Sequence, residues 1–191
     1  CGTLVARAMH FEKLKVKTDT ASWLAARGET PAGVLLTHLH LDHVSGMRDV
    51  PASTPVFVGP GEARSRTTVN FFVRSPTDAA LAGKGPLREL VFGRDPDGTF
   101  DGVLDLFGDR TVFAIWVPGH TAGSVAYVAR TPDGPVLMTG DACHTAFGWK
   151  NDVPPGTFSE DKARGRESLD RLEKLVARHP KTSVRLGHQI L

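Results

Sequence analysis

Four apolar segments of this chain are each followed at once by histidine or aspartate. The segment GVLLT at 33–37 leads into four such residues within six positions: His38, His40, Asp42 and His43. The segments AIWVPG, VLMTG and SVRLG lead directly into one such residue each: His120, Asp141 and His188. Short apolar runs of this length indicate buried strands. Because α/β proteins assemble sites at one edge of a sheet, the pattern predicts an α/β fold in which these seven residues meet.

Imidazole and carboxylate groups together are typical ligands of first-row metal ions, and Zn²⁺ is the usual ion at such sites. His38 and His40 are two residues apart, so in an extended chain they project to the same side and can chelate one ion. Asp42 and His43 follow a bend and can serve a second ion, for which the other strand ends supply further ligands. Two Zn²⁺ ions are therefore the expected cofactors, although iron, manganese and cobalt accept the same ligands.

Each candidate ligand also has an ordinary structural interpretation. His120 could stabilise a turn, Asp141 could cap a helix or a turn, and His188 could end a strand. The coincidence of all seven residues at strand ends favours the metal interpretation. Cys143 could be a thiolate ligand, but a small buried residue beside the site is the better interpretation of a lone cysteine.

The composition is that of one soluble globular domain over residues 1–191. Hydrophobic residues make up 40% and charged residues 23%, and the formal net charge is +2. No basic strip predicts nucleic-acid binding, since the basic residues of 162–171 are interleaved with acidic ones, as on a solvated helix face. No apolar segment approaches the ~20 residues that span a bilayer. The sequence leaves the oligomeric state open.

The chain begins with Cys1 rather than methionine. A trimmed boundary and a cytoplasmic location are the expectation, and a lipid-anchored or exported protein is the alternative if Cys1 is a processed amino terminus. Two cysteines are too few for a disulfide framework.

Helices are predicted at both ends of the chain. Residues 3–27 favour two short helices, the second with Thr18 or Asp19 as N-cap and Gly28 as C-cap. A further helix is expected after Gly61. The clearest helix runs over 159–179, where a capping box is the predicted start and its residues are Thr157 and Glu160.

The strands are predicted between these helices. GVLLT (33–37) and TPVFVG (54–59) are followed by a loop-rich stretch that contains Phe71 and Phe72. Five β-rich segments come next: LRELVF, VLDLFG, TVFAIWV, SVAYVAR and PVLMTG. The turn signal TPDGP joins the last two of these in a hairpin, and TSVRLG closes the chain with a final strand.

The motifs THLHLDH, PGHTAGS, TGDACH and LGH occur in this order and resemble those of the metallo-β-lactamase superfamily of hydrolases, over about residues 30–190. The resemblance implies an αββα sandwich, with two mixed sheets face to face and helices outside. It implies one metal held by His38, His40 and His120. It implies a second metal held by Asp42, His43 and His188, and Asp141 as the bridge between the two.

The segment DACHTAFGWKNDVPPGTFSEDKARGRESLDRL resembles the acyl-homoserine lactonase-like branch of that superfamily. Those lactonases carry a tyrosine three residues after the bridging aspartate, where this chain has His144. The superfamily also opens with strands and an Asp-Thr-Gly turn. Residues 1–29 show neither, which leaves open a first sheet that lacks its amino-terminal strands.

The resemblance implies a hydroxide shared by two metals as the nucleophile toward an ester or lactone carbonyl. Asp42 and His144 are the expected catalytic residues, the first as a proton carrier and the second as a donor to the oxyanion. The expected substrate is a small molecule with an apolar portion. Four aromatic residues could line its pocket and could equally cover the core: Phe71, Phe72, Phe147 and Trp149.

Three other functions fit the same ligands. One is hydrolysis of a β-lactam or thioester by the same fold. Another is an iron-dependent enzyme similar to sulfur dioxygenases, although these usually hold one iron. The third is a metal-binding domain without catalysis. The complete set of seven ligands favours the dinuclear hydrolase.

Overall fold

Eight strands form two sheets in the computed structural model, which describes residues 17–65, 71–156 and 158–189, without the side chains of 71–73. The first sheet is parallel and contains β1 (Val34–Leu35), β2 (Val56–Val58) and β3 (Arg88–Glu89). The second contains β4 (Val103–Asp105), β5 (Val112–Trp116), β6 (Val125–Thr131), β7 (Gly134–Met138) and β8 (Ser183–Arg185). The strands that the sequence predicts are therefore present, although several are shorter.

The two sheets differ in strand direction because their strands are connected differently. In the second sheet β4 to β7 are antiparallel neighbours, and β8 lies parallel to β7. The predicted hairpin between β6 and β7 is confirmed. The strands of the first sheet are joined by long crossovers, and this connection makes neighbours parallel rather than mixed as the resemblance implies.

The strand ends that precede the candidate ligands lie along one edge of the two sheets. The backbone N–H of Val125 donates to the carbonyl oxygen of Thr37, just after β1, at 2.9 Å. Val125 is also the register partner of Trp116, the last residue of β5. In the same sheet β7 and β8 run parallel, and their last residues, Met138 and Arg185, are register partners. The segments after β1, β5, β7 and β8 therefore emerge together.

Five α-helices accompany the sheets in the described residues: α1 (Thr20–Arg27), α2 (Leu41–Val44), α3 (Phe71–Leu81), α4 (Ala146–Asn151) and α5 (Lys162–Arg178). The predicted caps of α1 are confirmed. Asp19 accepts a hydrogen bond from the backbone N–H of Ser22 at 2.7 Å, and Gly28 ends the helix with φ 64°. The first helix predicted within 3–27 lies outside the described residues. The helix expected after Gly61 is a single 3₁₀ turn, Glu62–Arg64.

The stretch predicted as a loop around Phe71 and Phe72 is helical, and so is the segment that carries Phe147 and Trp149. Phe71 and Phe72 begin α3, and Pro76 lies inside this helix. Proline normally ends a helix because it lacks the N–H and crowds the preceding turn. Its presence at position 76 is therefore the reason why the sequence did not predict this helix. Phe147 and Trp149 belong to α4, which is too short to show a period of its own.

The predicted start of α5 is wrong by three residues. Its N-cap is Asp161, whose side chain accepts from the N–H of Arg164 at 3.0 Å. The carboxylate of Glu160 instead accepts from the N–H of Ala122 at 3.0 Å and from the hydroxyl of Ser65 at 2.8 Å. A capping box needs the carboxylate of this residue at the start of its own helix. Because Glu160 bonds to Ala122 and Ser65 instead, no capping box forms here. Thr157 lies outside the described residues.

The main core lies between the two sheets. Phe57 of β2 packs against a buried cluster that includes Ala114 and Val125 of the second sheet. The hydroxyl of Tyr127, on β6, reaches across and donates to the carbonyl oxygen of Leu36 at 2.9 Å. Because buried polar groups need partners, this bond fixes the second sheet against the strand that leads to the candidate ligands.

Helices cover the outer faces of both sheets. Leu172 of α5 is fully buried with Leu137 of β7, and Ala80 of α3 packs with Val58 of β2. Full burial of each leucine side chain contributes about 1.5–3 kcal/mol of transfer free energy. The order helix, sheet, sheet, helix is the predicted αββα sandwich. Within the described residues no helix is long and apolar enough to cross a membrane.

Candidate metal centre

The structure brings all seven candidate ligands together at the edge where the strands end. They form two groups, and within each group one ligand atom per residue lies within 4.8 Å of the others. The first group is His38, His40, His120 and Asp141. The second is Asp42, His43, Asp141 and His188. Asp141 belongs to both groups, which is the division that the resemblance implies.

The first group is almost closed to solvent. His38 and His120 are only 1% and 2% exposed. The Nε2 atom of His120 lies 2.9 Å from Nδ1 of His40 and 3.4 Å from Oδ2 of Asp141. Nε2 of His38 lies 3.8 Å from the same oxygen. Three imidazoles and one carboxylate therefore point at a common position inside the protein.

The second group opens to solvent. The side chains of His188 and Asp42 are 42% and 35% exposed. Nε2 of His188 lies 3.1 Å from Oδ2 of Asp141 and 3.3 Å from Oδ2 of Asp42. Nε2 of His43 lies 3.2 Å from Oδ1 of Asp141. This half of the site is therefore the one that solvent reaches.

Two buried polar atoms test whether a cation fits. Nε2 of His38 is inaccessible to solvent and has no hydrogen-bond partner among the described residues. Oδ1 of Asp141 is equally inaccessible and has only the imidazole of His43 beside it, at 3.2 Å. Leaving a buried polar atom unsatisfied costs about 1–3 kcal/mol, so native proteins usually supply a partner. A metal ion satisfies an imidazole lone pair and a carboxylate oxygen at once. The donor set fits zinc or a similar first-row ion.

The protonation states of the buried candidate ligands also suit metal binding. Burial alone would raise the pKa of Asp141, but hydrogen bonds from His144 and His188 outweigh it and hold this carboxyl ionised. Burial, with the neighbouring His40, lowers the pKa of His120 to about 3. Burial likewise lowers the pKa of His38 well below its ordinary value. Both imidazoles are therefore neutral at physiological pH, as metal ligands must be.

Ser159 fixes the tautomer of His120, and no local sequence pattern marks it for this role. Its hydroxyl donates to the carbonyl oxygen of Pro155 at 2.9 Å, so its oxygen can only accept at Nδ1 of His120, 3.3 Å away. The ring proton of His120 is thereby placed on Nδ1, and Nε2 keeps its lone pair for an ion. Partners of this kind orient metal-binding histidines in many proteins.

Glu62 is a second residue that sequence reasoning missed. This buried carboxylate accepts from the N–H of Leu39 at 2.8 Å, from the hydroxyl of Thr121 at 2.7 Å and from the N–H of Gly123 at 3.0 Å. Burial raises its pKa, and these bonds oppose that effect. Leu39 lies between two ligands and Thr121 follows a third, so Glu62 holds the two ligand loops together.

Close backbone packing explains why glycine precedes two of the ligands. A Cβ on Gly119 would overlap the backbone of Gly165 in α5, and Gly119 has φ 140°. A Cβ on Gly187 would overlap Oδ1 of Asp141. The glycines in PGH and LGH therefore let the chain approach α5 and Asp141 closely enough for the next residue to face the centre.

The structure also locates the remaining sequence candidates. Nε2 of His144 lies 2.8 Å from Oδ2 of Asp141, yet His144 belongs to neither ligand group. Cys143 is fully buried and burial raises its pKa to about 11, which favours a small core residue over a thiolate ligand.

Four aromatic residues were considered for a pocket. The side chains of Phe71 and Phe72 lie outside the described part of the structure, and the other two have different surroundings. Trp149 packs against two core clusters, as in the structural interpretation. Phe147 is 69% exposed on α4, just after His144. Val153 and Phe158 in the following loop are also exposed apolar residues, and the sequence did not single them out.

Comparison with known proteins agrees with the fold. The sequence matches the profile of the metallo-β-lactamase superfamily over residues 1–188. It is 32% identical over 142 residues to the γ-lactamase MBL2 of Gibberella moniliformis, covering 69% of this chain and 59% of that protein. It is 30% identical over 175 residues to the N-acyl homoserine lactonase AttM of Rhizobium radiobacter, covering 86% of this chain and 62% of that protein.

Solved structures show the same fold at lower identity. AiiA of B. thuringiensis, with N-decanoyl-L-homoserine bound at its active site, matches with a TM-score of 0.66 and 23% identity over 88% of this chain and 61% of that chain. The dizinc quorum-quenching lactonase AidC matches with a TM-score of 0.61 and 15% identity over 86% of this chain and 60% of that chain. The chain thus spans about three fifths of the length of these relatives.

Proposed function

Because this chain belongs to the metallo-β-lactamase superfamily, we propose that it is a dinuclear metal-dependent hydrolase, with zinc as the ion and a lactone or ester as the substrate. The observation that carries the proposal is the position of Asp141, which is shared by two groups of ligand atoms. A single tetrahedral ion uses four ligands, and seven residues converge here.

Zinc bound at these residues would supply Lewis acidity toward a carbonyl oxygen and would make water a nucleophile at neutral pH. The chain's own residues would bind, orient and protonate. Neutral His38 and His120 present lone pairs in the closed half of the site. Asp42 is solvent-accessible, and its carboxylate would orient the attacking water and carry a proton to the leaving group.

His144 would act on the substrate rather than on a metal. Its ring lies next to Asp141 with a side chain 31% exposed, so a substrate can reach it. In this structure the Nε2–H of His144 donates to Asp141. Released from Asp141 when that carboxylate binds metal, it would donate a hydrogen bond to the substrate carbonyl oxygen as negative charge develops there. The resembling lactonases place a tyrosine hydroxyl, also a neutral donor, at the same distance from the bridging aspartate in sequence.

Substitution of His144 tests this role. His144→Phe is expected to lower kcat on lactones by roughly 10–1000-fold with the metal content unchanged, because one donor to the oxyanion is lost. His144→Tyr restores a neutral donor and should keep much of the activity. Steady-state kinetics and elemental analysis of the same preparations make the measurement. Loss of one metal equivalent in His144→Phe would instead make His144 a ligand.

Two observations support an acyl-homoserine lactone as the substrate class. The relative AttM is an N-acyl homoserine lactonase, and AiiA was solved with N-decanoyl-L-homoserine at its active site. In this chain Phe147, Val153 and Phe158 are exposed in the segment after His144. Exposed apolar side chains in the segment that follows a site residue suit a ligand with an acyl portion.

A panel of substrates tests the proposed reaction. We expect turnover of N-hexanoyl and N-decanoyl homoserine lactones to exceed that of bis(p-nitrophenyl) phosphate, because a phosphodiesterase acting on nucleic acids needs an extended cationic surface. The formal net charge of this chain is only +2. Rates should be measured on zinc-loaded protein and again after chelation. A faster phosphodiester reaction would reverse the assignment.

A cyclic amide is the second candidate substrate, because the relative MBL2 is a γ-lactamase. The same groups would serve, since the attacked atom is again a carbonyl carbon beside a leaving group that needs a proton. Including a γ-lactam and a β-lactam in the panel separates these reactions. Turnover of the γ-lactam above that of the lactones would favour the second candidate.

A further inference from the structure

The side chain of Thr37 lies between the two ligand groups. Its Oγ1 atom is 3.2 Å from Nδ1 of His38 and 3.3 Å from Nδ1 of His43. His38 belongs to the first group and His43 to the second. One hydroxyl therefore contacts one imidazole of each group, on the ring atom that faces away from Asp141.

The orientation of the His38 and His43 rings determines which ring nitrogen carries the proton. Nε2 of His38 and Nε2 of His43 point toward Asp141, at 3.8 Å from Oδ2 and 3.2 Å from Oδ1, so these atoms must carry lone pairs to bind an ion. A neutral imidazole with a bare Nε2 carries its proton on Nδ1. Both Nδ1–H groups then point at Thr37, whose hydroxyl oxygen has two lone pairs and can accept from both.

Thr37 is held in place independently of these bonds. Its carbonyl oxygen accepts from the N–H of Val125 at 2.9 Å, which ties it to the second sheet. Its Cβ lies against Gly140, where an added Cβ would be only 2.8 Å away. Gly140 has φ 51° and immediately precedes Asp141. The hydroxyl is thus presented from a fixed backbone that also contacts the turn carrying the shared carboxylate.

We propose that Thr37 is a positioning residue that couples the two metal positions, by accepting Nδ1–H bonds from His38 and His43 at the same time. This rests on the proposed function, in which the two groups bind metal. Its consequence is specific. Loss of this one hydroxyl weakens both positions, whereas loss of the Ser159 hydroxyl, which contacts His120 but no other candidate ligand, weakens the first position alone.

Thr37→Val removes the hydroxyl and keeps the shape. We expect both stepwise zinc affinities, measured by competition with a chromophoric chelator, to fall by about 10–100-fold, as is usual when a partner of a metal-binding histidine is removed. Thr37→Ser should bind nearly as wild type. Ser159→Ala should weaken one step only and so identify the first position.

Thr54→Val is the matched control. Thr54 is also buried, 4% exposed, but its hydroxyl has no partner among the described residues. The same loss of a buried hydroxyl should leave both affinities unchanged. If Thr37→Val weakens neither step or only one, the coupling is wrong. If Thr37→Ser binds as weakly as Thr37→Val, the hydroxyl that serine keeps does not support the two positions, and the proposal is again wrong.

Nitrogen NMR of the metal-free protein gives a readout that does not depend on activity. His38 should carry its proton on Nδ1 in wild type and in Thr37→Ser. In Thr37→Val this proton has no acceptor and should move to Nε2, which faces Asp141. An unchanged tautomer in Thr37→Val would overturn the proposal. Failure of wild type to bind metal would overturn the proposed function instead, and the tautomers would still test the role of Thr37.

Discussion

Asp141→Ala should lose both metal equivalents and lower hydrolysis by on the order of 10³-fold or more, because the metals supply several kcal/mol of transition-state stabilisation. Asp141 is the one residue shared by both ligand groups. Without it, the first group has no anion to balance a dication, and the second keeps only Asp42. Elemental analysis after zinc supplementation, followed by lactone kinetics, measures both effects.

Asp42→Ala is the matched control for this substitution. Asp42 belongs to the second group only and its side chain is 35% exposed, so its loss should remove at most one metal equivalent. Metal-free Asp141→Ala should unfold close to metal-free wild type, since Asp141 lies at the sheet edge rather than in an apolar cluster. Retention of two zinc ions by Asp141→Ala would contradict the bridging role, and pronounced unfolding would indicate a structural one.

The ligands themselves were predictable from the sequence because each depends on a local pattern. An apolar run ends, a glycine or threonine follows, and a histidine or aspartate comes next. Strand pairing then decides where these ends meet, and the parallel pair β7 and β8 places Asp141 and His188 side by side. The caps of α1 and the hairpin between β6 and β7 were predictable for the same reason, since their signals lie within a few residues.

The residues that support the ligands were not predictable in this way. Ser159 contacts His120 from 39 positions away, and Glu62 contacts Leu39 and Thr121 from 23 and 59 positions away. No local pattern marks such partners. The error at the start of α5 has the same origin, because Glu160 is used by the loop after His120 instead of by its own helix. Tertiary hydrogen bonds therefore outweighed the local preference at the start of α5.

Gly187→Ala should lower lactone turnover although Gly187 is not itself a ligand. A Cβ at this position would overlap Oδ1 of Asp141 and would lie 2.8 Å from the carbonyl oxygen of Gly140. The backbone of Gly187 lies outside the left-handed region, so alanine adds no backbone strain there and the effect is steric. Displacing a reacting group by about 1 Å can cost on the order of 10²-fold in rate, so at least about a 100-fold loss of lactone turnover is expected.

Gly85→Ala is the control for Gly187→Ala. An added Cβ on Gly85 meets nothing within 4 Å, and Gly85 also lies outside the left-handed region, so this substitution should leave turnover and metal affinity unchanged. Because the overlap at Gly187 is with the shared carboxylate, Gly187→Ala should weaken both stepwise zinc affinities together. Weakening of one step alone would mean that the chain relaxes away from Asp141 and disturbs only His188. Wild-type affinity at both steps would show that close packing of Gly187 against Asp141 is not required to hold the centre.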